Sequence, residues 1–305
     1  MTRYITTRIG LAVVALLGVL LFVFVAARLT GDPAYLLAGD SPTPADIARI
    51  HQQLGLDKPV WLQFFVFLGA LARGDFGVSI HYHQSVLSLL GERVPATIEL
   101  VLAAFLVSQV LGIALGALAA INRDSFLDVA LRTLAALGQS MPNFWLGLVV
   151  IMVFAVGLGW FPTSGRSGFS SLVLPALTLS LYPLAATLRI TRSSMLEAMS
   201  SEYVRYLNAK GLKPAAIVWK HALRNALVPI TALAGSQLSF LLGGTVIVET
   251  VFAWPGLGSL MVDAVHARDY PLIQAAAVLT STAVVFLNLG VDLIFGLIDP
   301  RIRYG

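Results

Sequence analysis

Cysteine is absent from this 305-residue chain, which excludes disulfides, thiolate metal sites and cysteine nucleophiles. Charge is scarce as well. Only 12% of residues are Asp, Glu, Lys or Arg, while 57% are hydrophobic, and a soluble domain carries about twice that charged fraction. No low-complexity tract, internal repeat or G-x-x-x-x-G-K-[ST] phosphate loop occurs, so the chain has no Walker-type nucleotide site of its own. Its Gly-rich stretches, GIALGALAA and LLGGT, are apolar and suit close helix packing. No Ser/His pair, HExxH or aspartate pair falls within an apolar run, which argues against an intramembrane enzyme. The apolar runs are nearly free of charge, against the buried ionisable groups expected of an ion-coupled secondary transporter or channel.

The apolar runs themselves are abundant. Mean hydropathy is +0.83, and stretches near the ~20 residues needed to cross a bilayer fall at 9–29, 98–121, 133–158, 172–190, 229–250 and 274–297. The expectation is an all-α polytopic membrane protein with six transmembrane helices forming one domain over 1–305. The first run, LAVVALLGVLLFVFVAARL, follows a basic start but exceeds a signal h-region, so it reads as a retained helix and not a cleaved signal. The pI near 9.5 reflects Lys and Arg that fix orientation, not nucleic-acid binding. With the N-terminus cytoplasmic, thirteen of the twenty Lys and Arg residues fall on the inner side and seven outside, which places both termini in the cytoplasm.

Three segments between spans carry further information. The outer segment 30–97 contains SPTPADIARIHQQLG, predicted as a helix with Thr43 as N-cap, Pro44 at its first position and Gly55 as its stop. It continues with PVWLQFFVFLGALARGDFG, about 13 apolar helical residues, too short to span, which lie in the outer interface or pack on the bundle. A second outer element, 249–274, contains Trp254-Pro255-Gly256. That turn signal suits a gate or docking surface at the outer mouth, or an ordinary connector with an aromatic anchor. His81-Tyr82-His83 offers two imidazoles pointing the same way but no third ligand, so a solvated loop is expected and no metal site.

The loop 191–228 is basic and interrupted. Residues 191–210 lack Gly and Pro and are expected to continue the fourth span. Gly211 ends that helix, with Lys210 in its last turn, and Pro214 starts another. Tyr203, Tyr206 and Leu207 recur at three- and four-residue spacing, so they are expected to share one helix face able to enter a partner's groove. The competing reading is a loop against anionic lipid head groups. Among polar residues within spans, Gln109, Asn143, Ser236, Gln237 and Ser239 are the candidates for a translocation pathway. Asn288 and Asp292 belong to the same class, Asp292 close enough to the chain end to pair with basic residues.

The loop resembles the cytoplasmic coupling loop of ABC-importer permeases, above all those of the dipeptide/oligopeptide/nickel family. The matching residues are Glu202-Tyr203-Val204-Arg205, Ala209-Lys210-Gly211-Leu212, His221, Leu223-Arg224-Asn225-Ala226 and Pro229. It departs from the general importer pattern, which has Glu-Ala-Ala where Arg205-Tyr206-Leu207 stand. GDPA at 31–34, LGLDKPVWLQF, GDFGVS, VPATIEL, MPNFWLG, ETVFAWPGLG, RDYPLIQ and the terminal DPRIR are similar to family landmarks in the same order. The resemblance implies a type I ABC importer-like permease subunit in a bacterial inner membrane, moving peptides, a nickel complex or a similar solute by alternating access. It implies a second permease subunit, two cytoplasmic ATPases that bind the ATP and Mg²⁺, an extracytoplasmic binding protein, and no cofactor in this chain. It also implies that residues 202–212 dock on the ATPase.

Overall fold

Long apolar runs leave a backbone in lipid no hydrogen-bond partner but itself, so they fold as helices. The computed structural model describes residues 2–29, 34 and 43–298. Gly31-Asp32-Pro33 and the terminal DPRIR lie outside the described residues, as does the side chain of Asp292. The helices in chain order are α1 (Thr2–Leu29), α2 (Pro44–Leu54), α3 (Val60–Ala72), α4 (Val86–Ile121), α5 (Phe126–Ser140), α6 (Asn143–Gly157), α7 (Phe169–Ser200), α8 (Glu202–Ala209), α9 (Pro214–Val251), α10 (Leu257–His266) and α11 (Tyr270–Ile298). Five are long and apolar enough to cross a membrane, and the α5–α6 pair makes a sixth if its halves count as one span.

That pair corrects one expectation. The run 133–158 reads as a continuous helix, but the chain bends by 111° between α5 and α6. Pro142 is the physical cause. It holds Met141 in an extended conformation (ψ 131°) and itself precedes the first residue of α6, as the residue before a proline is pushed out of the helical region. The last seven residues of α6 are π-helical.

The chain divides into two compact units. In the first, drawn from Met1–Pro95 and Ser259–Leu293, α2 is capped as its sequence predicts. Thr43 Oγ1 and Asp46 form a reciprocal capping box, and Gly55 closes the helix at φ 65°. The Thr43 hydroxyl and amide hold the Asp46 carboxyl below its ordinary pKa. The short helix α3 packs through Phe64 and Phe67 on Phe24 of α1, with ring centroids 5.1 and 5.7 Å apart.

The second unit, principally Ala96–Gly258, is built around α7, which carries Pro175 and Pro183 without interruption. Leu100 and Ala104 of α4, Leu174 and Leu179 of α7, and Leu241 and Val248 of α9 form its largest core. Helices α4 and α7 approach unusually closely. A Cβ at Gly112 would lie 2.7 Å from Thr187 Cβ, and one at Gly116 would lie 2.6 Å from the Leu188 carbonyl oxygen. Only glycine permits that contact, as small-xxx-small helix pairs require.

Candidate functional site

Three arrangements in the second unit gather the residues singled out from sequence. The first is the interrupted segment after α7. The expected continuation of α7 to residue 210 does not occur. The helix stops at Ser201, which is extended (ψ 152°), and α8 is a separate eight-residue helix. Its end is a Schellman motif: Leu212 N–H donates to the Leu207 carbonyl and Gly211 N–H to that of Asn208. Gly211 has φ 77°, a conformation that costs an ordinary L-residue roughly 1–2 kcal/mol. The Leu207–Leu212 apolar contact that accompanies such motifs is present, within a cluster formed with Val204 and Ile217.

That cluster divides the predicted Tyr203–Tyr206–Leu207 face. Leu207 is buried against the start of α9, whereas Tyr203 and Tyr206 are exposed. The eight-residue helix needs an apolar seat, and Val204 and Leu207 supply it. Tyr203 Oη is hydrogen-bonded to His221 Nδ1 at 2.8 Å, and Lys210 Nζ stands 4.7 Å over the Tyr206 ring. Glu202, Arg205, Ala209, Lys210 and Gly211 are exposed around them. Pro214 occupies the first position of α9, which then runs 38 residues to Val251 through a π-helical stretch, Ile217–Ala222. The result is a short, glycine-ended helix held on the root of a long one, presenting two tyrosines and a basic rim.

The second arrangement is a polar layer between α4, α7 and α9. Gln109 Nε2 donates to Gln237 Oε1 at 2.6 Å, and Gln237 Nε2 donates to the Pro183 carbonyl at 3.0 Å. Thr187 Oγ1 lies 3.2 Å from both amide atoms of Gln237. Through the Pro183 carbonyl, Gln237 ties α9 to the backbone of α7. Gln237 is buried and Gln109 half-buried, so among the candidate pathway residues these two form an interhelical clamp. Ser236 is exposed and donates to its own helix at Leu233. Asn143 and Ser239 are half-buried, and Asn288, in the first unit, is exposed.

The third arrangement lies at the end of α9. Trp254 is fully buried, and its indole Nε1 donates to the Ala96 carbonyl at 2.8 Å. Trp254 thus anchors the turn inside the unit. The turn folds back on its own helix because Glu249, fully buried, accepts from Gly258 N and Thr97 Oγ1, both at 2.7 Å. Thr97 Oγ1 in turn accepts from Leu257 N at 2.8 Å. A Cβ at Gly256 would collide with the Glu249 carboxylate, and one at Gly258 would lie 2.5 Å from Val246 Cα. The glycines of WPGLG are thus spacers for a buried carboxylate, and Pro255 stiffens the turn just before them. Arg166 stands 5.9 Å over the Trp254 ring and pairs with Glu99 at 2.6 Å.

Sequence reasoning missed Glu249 and Asp128. The signal for Glu249 was a lone acid closing an apolar run immediately before a Trp-Pro-Gly turn. Asp128 is fully buried and receives Arg192 through two 2.7 Å bonds, with Arg132 at 3.2 Å. Two charges counted toward orientation are thus also structural partners, tying α5 to α7. Among the described residues no group of three or more His, Asp or Glu side chains could hold a metal.

The sequence matches two family profiles. Residues 112–304 match the binding-protein-dependent transport system inner membrane component, and residues 1–101 match the corresponding N-terminal component. The chain is 40% identical to the di/tripeptide transport system permease DppB of Pseudomonas aeruginosa, covering 100% of this chain and 99% of that one. It is 41% identical to the glutathione transport system permease GsiC of Escherichia coli strain K12, over 95% of this chain and 94% of the other. Among solved structures, an inward-facing form of the MetNI methionine ABC transporter contains a chain that aligns with a TM-score of 0.57 at 20% identity. The alignment covers 70% of this chain and 97% of that one, a likeness of fold.

Proposed function

The chain belongs to the family of binding-protein-dependent transport system inner membrane components, and from that membership we propose that it carries di- or oligopeptides inward through an ATP-driven importer. As a permease of that family it is a multi-pass protein of the inner membrane. The observation that carries the peptide reading is 40% identity along the full chain to a di/tripeptide permease. The glutathione permease, matched as closely, is named for another small peptide, so the substrate class is small peptides. A nickel complex is the second reading, and it rests on the sequence resemblance alone.

The division of labour follows. This chain is the non-catalytic translocation subunit, and separate cytoplasmic ATPases bind ATP and Mg²⁺. It works beside a second permease and receives its load from an extracytoplasmic binding protein. The exposed Tyr203, Tyr206, Arg205 and Lys210 on α8 (42% and 59% exposure for the tyrosines) meet the ATPase, while Val204 and Leu207 transmit the push to α9. Gln109 and Gln237 border the pathway as a clamp that holds its helices in one arrangement. The nucleotide moves the equilibrium between inward- and outward-open states only by binding them unequally.

The test is uptake of a radiolabelled dipeptide into proteoliposomes holding the full set of subunits. Uptake is expected to require the separately purified ATPases and to be lost with Tyr203→Asp, which replaces an exposed aromatic ring by a negative charge on the docking face while membrane insertion is kept. Uptake by this chain without any ATPase would refute the division of labour, and wild-type uptake by Tyr203→Asp would refute the docking face.

A further inference from the structure

The first unit contains a feature to which the function proposed above assigns no role. Between α1, α10 and α11 lies a groove of about 460 Å³ lined by Phe22, Val23 and Ala26 of α1, Met261 and Val265 of α10, and Ile273 and Ala277 of α11, with Arg268 and Tyr270 among its lining residues. Its volume falls within the range of small-molecule sites, and its walls are apolar apart from those two residues. Along α11 the lining runs from Tyr270 to Ala277, a depth of about 10 Å at 1.5 Å per residue. Arg268 precedes the apolar span Tyr270–Val291 by two residues, so it stands at the level where a bilayer's head groups meet its acyl chains. An apolar slot with one cation at that level complements an amphiphile with an acyl chain and a negative head.

The charges around Arg268 leave it available. Asp269 is buried and already accepts from Ser79 Oγ, His81 N and Leu272 N. Asp263, the other acid nearby in sequence, is not among the lining residues. Among the described residues the Arg268 guanidinium has no ion pair, and the residue is exposed. A second groove near the other end of the same antiparallel helix pair is lined by Arg8, Leu11 and Asn288, but Arg8 and Asn288 already have interactions of their own. Charge complementarity therefore distinguishes the Arg268 groove.

We propose that this groove is a binding site for an anionic phospholipid, its phosphate on Arg268 and an acyl chain between Phe22, Val265 and Ile273. The occupant is lipid, not a second copy of the chain, because a lone cation above an apolar slot offers a protein helix an unpaired charge.

Because the chain has no cysteine, His266→Cys introduces a unique label beside the groove. The full-length chain, labelled there with bimane, is reconstituted in phosphatidylcholine vesicles and titrated with brominated phosphatidylglycerol or brominated phosphatidylcholine. Quenching is expected to favour the anionic lipid by about five-fold, the value of one basic contact near a membrane surface. Arg268→Lys should keep that preference and Arg268→Gln reduce it to about one, with brominated phosphatidylcholine quenching unchanged as the control for folding. Equal quenching by the two lipids, a preference that survives Arg268→Gln, or no quenching by either lipid because protein covers the groove would each overturn the proposal.

Discussion

At the residue scale, the buried carboxylate of Glu249 explains more of its surroundings than any other single group. It satisfies the Gly258 amide and the Thr97 hydroxyl, and a buried donor left without its partner costs about 1–3 kcal/mol. Glu249→Ala should therefore lower the midpoint of thermal unfolding of the detergent-purified chain. Glu249→Gln, which keeps an acceptor oxygen, should lower it less. Gly256→Ala should resemble Glu249→Ala, because its Cβ meets the carboxylate and overpacking of this kind costs about 1–3 kcal/mol. Three variants melting together with the wild type would show that the carboxylate does not hold the turn. Neither Glu249 nor Asp128 was legible as a site in the sequence. A lone acid near a span end looks like an interfacial charge until the chain's return brings donors 152 and 64 residues away to it.

At the element scale, the segment Glu202–Leu212 was partly legible. Gly211 and Pro214 announced a helix stop and a helix start, because glycine takes φ 77° freely and proline fits a first turn. The break at Ser201 was not legible, since serine has no strong preference against helix. Helical spacing likewise placed Leu207 with the tyrosines but could not say that the root of α9 would cover it. A Cβ at Gly211 meets nothing within 4 Å, so its requirement is conformational rather than spatial. Gly211→Asn, tolerant of the left-handed region, is expected to retain most peptide uptake, whereas Gly211→Val should abolish it with normal membrane insertion. Equal uptake by the two variants would show that backbone conformation at this joint is not what matters.

At the scale of the whole molecule, hydropathy placed the apolar part of each long described helix, because crossing a bilayer takes about 20 apolar residues. It did not show how far α4, α7 and α9 extend beyond that, to 36, 32 and 38 residues. It failed at 133–158, where composition continued across Ser140 and the geometry of Pro142 did not. Orientation rests on basic residues, and we expect a reporter enzyme fused after Leu212 to read cytoplasmic and one after Gly168 to read external. The reverse pattern in whole cells would invert the topology.

Helix α9 carries a consequence for how the two membrane faces communicate. It starts three residues after Gly211 and runs 38 residues, about 57 Å at 1.5 Å per residue, with Glu249 near its far end. The Gly211–Pro214 break and the buried-carboxylate turn are therefore joined by one continuous helix. Under the proposed docking of α8 on an ATPase, a tilt applied at Pro214 would reach the turn along that helix, with the compliance of the linkage set by its softest stretch. That stretch combines the π-helical residues 217–222 with Pro229. The stiffness of about three and a half turns of helix, more than any contact at either end, would then decide how much of a power stroke arrives on the opposite side.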